Sequence, residues 1–345
     1  MHATRKLWTW LGLICALSFA VLGWVGAEIY LAAPPIPKQV ISADGSQLFG
    51  EGEVDRGQQA WLSAGGQQLG TVWGHGSYVA PDWSADWLHR EAIALRELWA
   101  RRDFTARFED LSKANQAYLN AKLKEEMRRN TYDKERGVIV VSADRAAAIR
   151  SVAQHYTGLF GDDASLDALR VQYAMNANAI TNPGDLKALP AFVFWSAWAA
   201  ATDRPGQQDL SYTSNWPHEP LVDNRPSTGA GIWSIASVIL MIAAIAGMVM
   251  LHGAAKEESD PVAPKNDPLL SMKATPSMLA TRKYFFVVIG LILAQVGMGV
   301  ITAHYAVEGR SFFGFPLADF LPFVVSRTIH TQFAVLWIAT AWLAT

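Results

Sequence analysis

At 345 residues, with 51% hydrophobic and only 17% charged residues, the chain exceeds one ordinary domain and is too apolar for a typical soluble protein. A formal net charge of −2 points away from a nucleic-acid partner, and a single cysteine, Cys15, excludes an intrachain disulfide. Fourteen tryptophans suit long membrane–water boundaries, where indole rings collect.

Leu7 to Leu31 is an apolar run of about 25 residues, enough to cross a bilayer core of roughly 30 Å. His2, Arg5 and Lys6 precede it, and it continues through Trp24 and Tyr30 to Pro34-Pro35. A cleaved signal peptide is the alternative, but its apolar centre would be shorter and would end at a small-x-small site. An uncleaved anchor with a cytoplasmic amino terminus is the better reading.

From Lys38 to Pro226 the chain is polar and reads as a mostly helical soluble domain. Ser84 to Arg102 carries Leu88, Ala92, Leu95 and Trp99 at helical spacing, and Leu111 to Asn130 repeats the pattern with Leu119, Leu123 and Met127. Gly137 to Ser142 is the one strand-like run, and helices are expected over Asp144 to Tyr156 and Ser165 to Asn176. Ala191 to Ala201 is as apolar as a span but about half as long, so it is expected to be buried or interfacial, docking the domain against the membrane part. Tyr212 to Pro226 reads as the connection back to the bilayer.

Gly229 to His252 is the second expected span, Tyr284 to Ala303 the third, and a fourth begins near Leu321. The loop after the second span carries Lys256, Lys265, Lys273, Arg282 and Lys283, against only Arg310 before Arg327 after the third. The positive-inside rule places the longer loop in the cytoplasm. Leu336 to Thr345 stays apolar without a basic stop, so the chain is expected to be the front of a longer polytopic protein. The expected fold is therefore an all-α polytopic membrane protein of about four spans with one soluble domain: anchor 1–37, domain 38–226, further spans 227–345.

His330 lies in an apolar helix just after Arg327, which would mark the water boundary. A histidine satisfied by a neighbouring helix is the plain reading; an intramembrane ionisable group is otherwise a functional candidate, and imidazole is a haem ligand. His304 and Glu308, four apart, share one helix face at the outer end of the third span, as a proton-accepting pair or as an ordinary contact. Phe312, Phe313 and Phe315 could wall that site or serve as interfacial aromatics. His89, His155 and His218 read as structural or surface residues, and His2 and His252 as solvated.

Seven stretches together resemble the quinol-dependent nitric oxide reductases of bacteria, within the haem-copper oxidase superfamily. They are Asp55-Arg-Gly-Gln-Gln-Ala-Trp61, Trp73-Gly-His-Gly-Ser-Tyr-Val-Ala-Pro-Asp-Trp83, Ala85-Asp-Trp-Leu-His-Arg90, Asn130-Thr-Tyr-Asp133, Phe194-Trp-Ser-Ala-Trp198, Ser214-Asn-Trp-Pro-His-Glu-Pro220 and Ser326-Arg-Thr-Ile-His-Thr-Gln332. They occur in the family's order along nearly the whole chain. The resemblance implies a cytochrome c-like soluble domain that has lost its haem. Attachment needs C-x-x-C-H, and the matching place reads Gly66-Gln-Gln-Leu-Gly70.

The resemblance further implies that His330 is an axial ligand of low-spin haem b and that His304 and Glu308 belong to a quinol pocket. Gly76 and Tyr78 become candidates for a calcium site, although His75 stands where an acidic residue is frequent and a plain docking loop is the alternative. The implied reaction reduces two nitric oxide molecules to nitrous oxide and water at a high-spin haem b paired with non-haem iron, on later helices. The implied partners are a membrane quinol, nitric oxide and the lipid bilayer, in a bacterial inner membrane with the soluble domain periplasmic; a homodimer is compatible with this organisation. No catalytic residue is expected within this portion, which alone is expected to be inactive. A membrane-anchored sensor module and an oxygen-reducing relative are the rival readings.

Overall fold

A computed structural model describes residues 2–77, 79–254, 265–308, 312–317, 320–321 and 323–345. Tyr78, Lys256 and Arg310 lie outside the described residues, as do the side chains of His2, His252 and Glu308. Three long apolar helices leave the soluble part: α1 (His2–Leu31), α8 (Thr228–Ala254) and, after the one-turn α9 (Pro268–Ser271), α10 (Pro276–Glu308). Their spans are Trp8–Leu31, Gly231–Leu251 and Pro276–Tyr305, with mean hydropathies of 1.9, 2.5 and 2.3. They are apolar all round and exposed along their length, as a helix facing lipid must be. The expected count of four spans is one too many among the described residues. α11 (Phe323–Ala344) is a helix of 22 residues, long enough to cross, but Arg327, His330 and Gln332 in its first half keep it below the apolarity of a span.

The soluble part begins with β1 (Gln39–Ser42), β2 (Gln47–Phe49) and α2 (Glu53–Ser63). It continues with α3 (Trp83–Phe104), α4 (Lys113–Arg128), β3 (Tyr132–Asp133), β4 (Val138–Val141) and α5 (Ala143–Phe160). It ends with α6 (Asp167–Gln172) and α7 (Pro183–Ala201). The helix starts are set by side-chain caps that satisfy otherwise orphaned N–H groups: Asp82 for α3, Ser112 for α4, Ser142 for α5, and Asn182 followed by Pro183 for α7. The strands form one sheet in the order β2-β1-β4-β3, with β1 parallel to β4 and the other pairs antiparallel. Three of these strands are absent from the sequence reading, which finds only β4. Strands of two to four residues carry too few alternations to announce themselves.

One helix differs from expectation. Where Ser165 to Asn176 reads as one helix, the chain forms a short 3₁₀ turn and the six-residue α6. Ala174 and Asn178 then take left-handed φ angles of 54° and 53°, which stop helical growth. The apolar run from Ala191 to Ala201 is buried, as expected, and forms the centre of the domain's own core, while Trp195 within it also bonds the carbonyl of Pro35, just past α1. From Ala188 to Ala201 every residue of α7 is buried, packed by α2, α3 and α5. α2 lies so close that a Cβ on Gly57 would run into the Ala188 carbonyl, and Arg56 closes the contact through a 2.8 Å bond to Asp185. The seam with α10 and α11 is made by Leu62 of α2, packed beside Tyr305 and Phe323.

One ion pair is fully enclosed. Arg145 at the start of α5 donates to Glu91 of α3 at 2.7 Å, and Trp87 Nε1–H donates to the other carboxylate oxygen at 2.8 Å. Their side chains are 2% and 1% exposed, so removing one partner strands the other charge away from water. Glu91→Ala is expected to destabilise the domain by about 3–5 kcal/mol, measured as a lowered unfolding midpoint of the detergent-solubilised chain. An unchanged midpoint would show that water replaces the carboxylate.

Candidate functional site

α10 and α11 run antiparallel against one another, and their contacts climb one helix as they descend the other. Trp337 Nε1–H donates to Gln295 Oε1 at 2.6 Å, His330 meets Gln295 and Gly299, the Thr302 and Ser326 hydroxyls lie 2.7 Å apart, and the Tyr305 hydroxyl donates to the Leu321 carbonyl. Polar side chains between apolar helices are satisfied across the helix pair, as the bilayer interior requires.

His330 lies half-buried in this seam. Its Nδ1 lies 2.8 Å from the backbone oxygen of Gln295. A carbonyl can only accept, so Nδ1 carries the hydrogen, and in the neutral ring Nε2 keeps its lone pair. The imidazole reaches that carbonyl because residue 299 has no side chain: a Cβ there would stand 2.9 Å from His330 Cε1 and 3.1 Å from Nδ1. The sequence reading found His330 but missed Gly299 and Gln295. A signal was present, since Gly297 and Gly299 lie in an apolar span and small residues mark close helix approach in membranes. The residues fit a haem ligand: a ligating histidine characteristically gives its other ring nitrogen to a carbonyl, which fixes tautomer and ring plane.

Five residues further along α10, about 7.5 Å along the axis, His304 is half-buried against two aromatic rings. Phe312 and Phe313 approach it at centroid distances of 4.5 and 4.8 Å, and they pack edge-to-face on one another. Phe315 belongs to a separate pair, stacked on Phe320 at 5.5 Å. Helix α10 runs unbroken through Glu308, so its backbone stands one turn beyond His304. Between Leu62 of α2 and α11 lies a cleft of about 300 Å³, lined by Phe323, Arg327 and Gln332 among others.

In the soluble domain, Gly66–Leu69 form a 3₁₀ turn, and Trp83 Nε1–H donates to the Leu69 carbonyl at 2.9 Å. Trp83 is wholly buried, with Tyr156, Phe160 and Tyr173 around it edge-on. Side chains thus fill the interior beside the segment where the resemblance places a lost haem. The adjoining loop is organised by Asp82, another residue the sequence reading did not single out. One oxygen accepts from Thr71 Oγ1 at 2.7 Å and from the Gly74 N–H at 2.6 Å; the other accepts from the Ala85 N–H at 3.0 Å and from Ser84 Oγ. Gly76, at φ 85°, donates its N–H to Thr71 Oγ1 at 2.8 Å. His75 packs on Trp216, whose Nε1–H bonds the Gly74 carbonyl. The loop's own carboxylate is therefore taken up by protein donors. Among the described residues no three His, Cys, Asp or Glu side chains converge as for a metal ion.

The other histidines have local roles. His89 Nδ1 lies 3.0 Å from Glu219, and His218 is exposed. Burial, with Arg90 second, holds the His155 imidazole below the ordinary histidine range.

Residues 37–218, more than half of the chain, match the family described as the cytochrome c-like domain of the nitric oxide reductase protein NorB. Among curated proteins no match is found.

His155 generates a pH prediction. Its folded pKa is depressed, so the unfolded chain binds the extra proton. Its contribution to stability is complete above the unfolded value of ~6.5 and is lost as pH falls from there through the folded value. Unfolding midpoints of the native chain should fall as pH drops through this window, and His155→Gln should flatten that dependence; equal slopes in the two proteins would refute it.

Proposed function

This chain belongs to the NorB family of nitric oxide reductases, and from that membership we propose that it forms the electron-entry part of a quinol-oxidising nitric oxide reductase. Two nitric oxide molecules, two electrons and two protons give nitrous oxide and water, so one quinol, releasing two of each on oxidation, balances one turnover. The observation that carries the reading is the seating of His330, with Nδ1 given to the Gln295 carbonyl and room made at Gly299.

In this reading His330 would hold a low-spin haem b through Nε2, and the haem would supply one-electron transfer within the membrane. This chain's residues set the conditions. Gln295 holds the imidazole in the tautomer that keeps Nε2 available, and Trp337 bonds the same glutamine's side chain at 2.6 Å. His304, flanked by Phe312 and Phe313, accepts one quinol proton, and Glu308, one helical turn on, accepts or relays the other. The aromatic pair excludes water from the His304 side of that pocket. A high-spin haem and a non-haem iron would supply the reduction of nitric oxide, and no residue of this chain is assigned to them. The setting is a bacterial inner membrane, with the soluble domain on the periplasmic side.

In the whole enzyme His330→Ala should abolish the low-spin haem b spectrum, and Gly299→Val should perturb it while membrane insertion is retained. Intact spectra in both variants would sink the ligand assignment. Glu308→Ala should slow quinol-driven turnover by about 10²-fold, the worth of one positioned acid–base group, and spare turnover with artificial electron donors. Equal loss with both kinds of donor would remove Glu308 from the quinol pocket.

A further inference from the structure

A cavity of about 800 Å³ opens where α1 leaves the membrane, far along the chain from the α10–α11 seam. One wall is the end of the span and the segment after it, Leu31 to Pro35; the opposite wall is the soluble domain, including Asn130, Lys134, Arg204 and Tyr212. Leu31 is the last residue of the Trp8–Leu31 span, so the cavity lies at headgroup depth and its apolar wall continues the lipid-facing surface of α1.

The domain wall is cationic. Lys134 and Arg204 both line the cavity, no carboxylate lines it, and neither cation forms an ion pair among the described residues. The acid beside them in sequence, Asp203, is already paired with Arg128 at 2.7 Å. Asp133 accepts from the Glu135 and Arg136 backbone N–H groups, and Glu135 is exposed. Arg204 is held in place by bonds from Nε to the Ser211 carbonyl at 2.9 Å and from Nη2 to the Tyr212 carbonyl at 2.5 Å, which leaves guanidinium N–H groups over. The Tyr212 hydroxyl accepts from Asn130 at 3.1 Å, and among the described residues nothing accepts its own hydrogen. Oriented donors and two unpaired cations therefore face an apolar wall that runs into the bilayer.

We propose that this cavity binds one anionic phospholipid from the leaflet in which α1 ends, its phosphate on Arg204, Lys134 and the Tyr212 hydroxyl and its acyl chains along Leu31 and Ala32. A volume of this size accommodates a headgroup with the start of its chains. A quinol is uncharged and gains nothing from two cations, and a free phosphate leaves the apolar wall unused. The inference needs only that α1 crosses the membrane and is independent of the reductase reading.

The test uses the complete protein, delipidated in detergent and titrated with phosphatidylglycerol, phosphatidylcholine or inorganic phosphate, with bound lipid counted by native mass spectrometry. One phosphatidylglycerol per chain should be retained in preference to phosphatidylcholine, and inorganic phosphate should not displace it. Lys134→Glu, at an exposed position without an ion-pair partner among the described residues, should weaken that binding by about fivefold or more, the worth of a lysine at an anionic surface. Ala32→Trp, which fills the cavity from its apolar side, should remove it. Equal retention of the two lipids, displacement by inorganic phosphate, or unchanged binding in both variants would each overturn the proposal.

Discussion

An imidazole can rest against a helix in an apolar layer only if that helix gives it both space and an acceptor. Gly299 gives the space and the Gln295 carbonyl gives the acceptor. The other contacts of the seam follow from the approach this permits: Thr302 to Ser326 and Tyr305 to Leu321 towards the carboxyl end of α10, Trp337 to Gln295 towards its amino end. In a medium without water each of these polar groups needs a protein partner, so the seam is specified by satisfaction of polar groups more than by apolar packing, which lipid could equally supply. The closeness of α10 and α11 is thus a condition for His330 to be there at all.

The soluble domain is organised differently, around an apolar helix surrounded by amphipathic ones. α7 is buried on every side, as a transmembrane helix is by lipid, but its solvent is Trp61, Trp87 and the other faces of α2, α3 and α5. Trp83 and its aromatic neighbours complete a close-packed interior next to the Gly66–Leu69 turn. This packed core holds the domain together without a disulfide, since the chain's one cysteine, Cys15, lies in α1.

Much of this was legible in the sequence, and the parts that were not share a cause. Long apolar runs and capped amphipathic stretches announce themselves, so α1, α8, α10 and the helices from α3 to α5 fall close to where periodicity puts them. β1, β2 and β3 do not, because they are two to four residues long, and β1 is also paired with a strand about a hundred positions away, as in Val40 against Ile139. α11 reads as a span until the polar residues around His330 are weighed. α7 was legible as a buried helix but not as a core, because eleven apolar residues do not say what covers them. In the candidate site the side chains proposed to carry chemistry, His304 and His330, are singled out by residue type and spacing. Their supports were hidden: a backbone carbonyl has no residue type, and the missing Cβ of Gly299 matters only once the facing helix is known.

Trp195, on α7, donates its Nε1–H at 2.9 Å to the carbonyl of Pro35, just past the end of α1. The chain between that helix and β1 also contains Pro34 and Pro37, whose fixed φ angles stiffen it. The domain is therefore a bracket bolted to its post, and not a weight on a string. The hydrogen bond ties the core helix to the foot of α1 across a short, proline-stiffened link, so the placement of the domain on α1 and the packing of its core are set together.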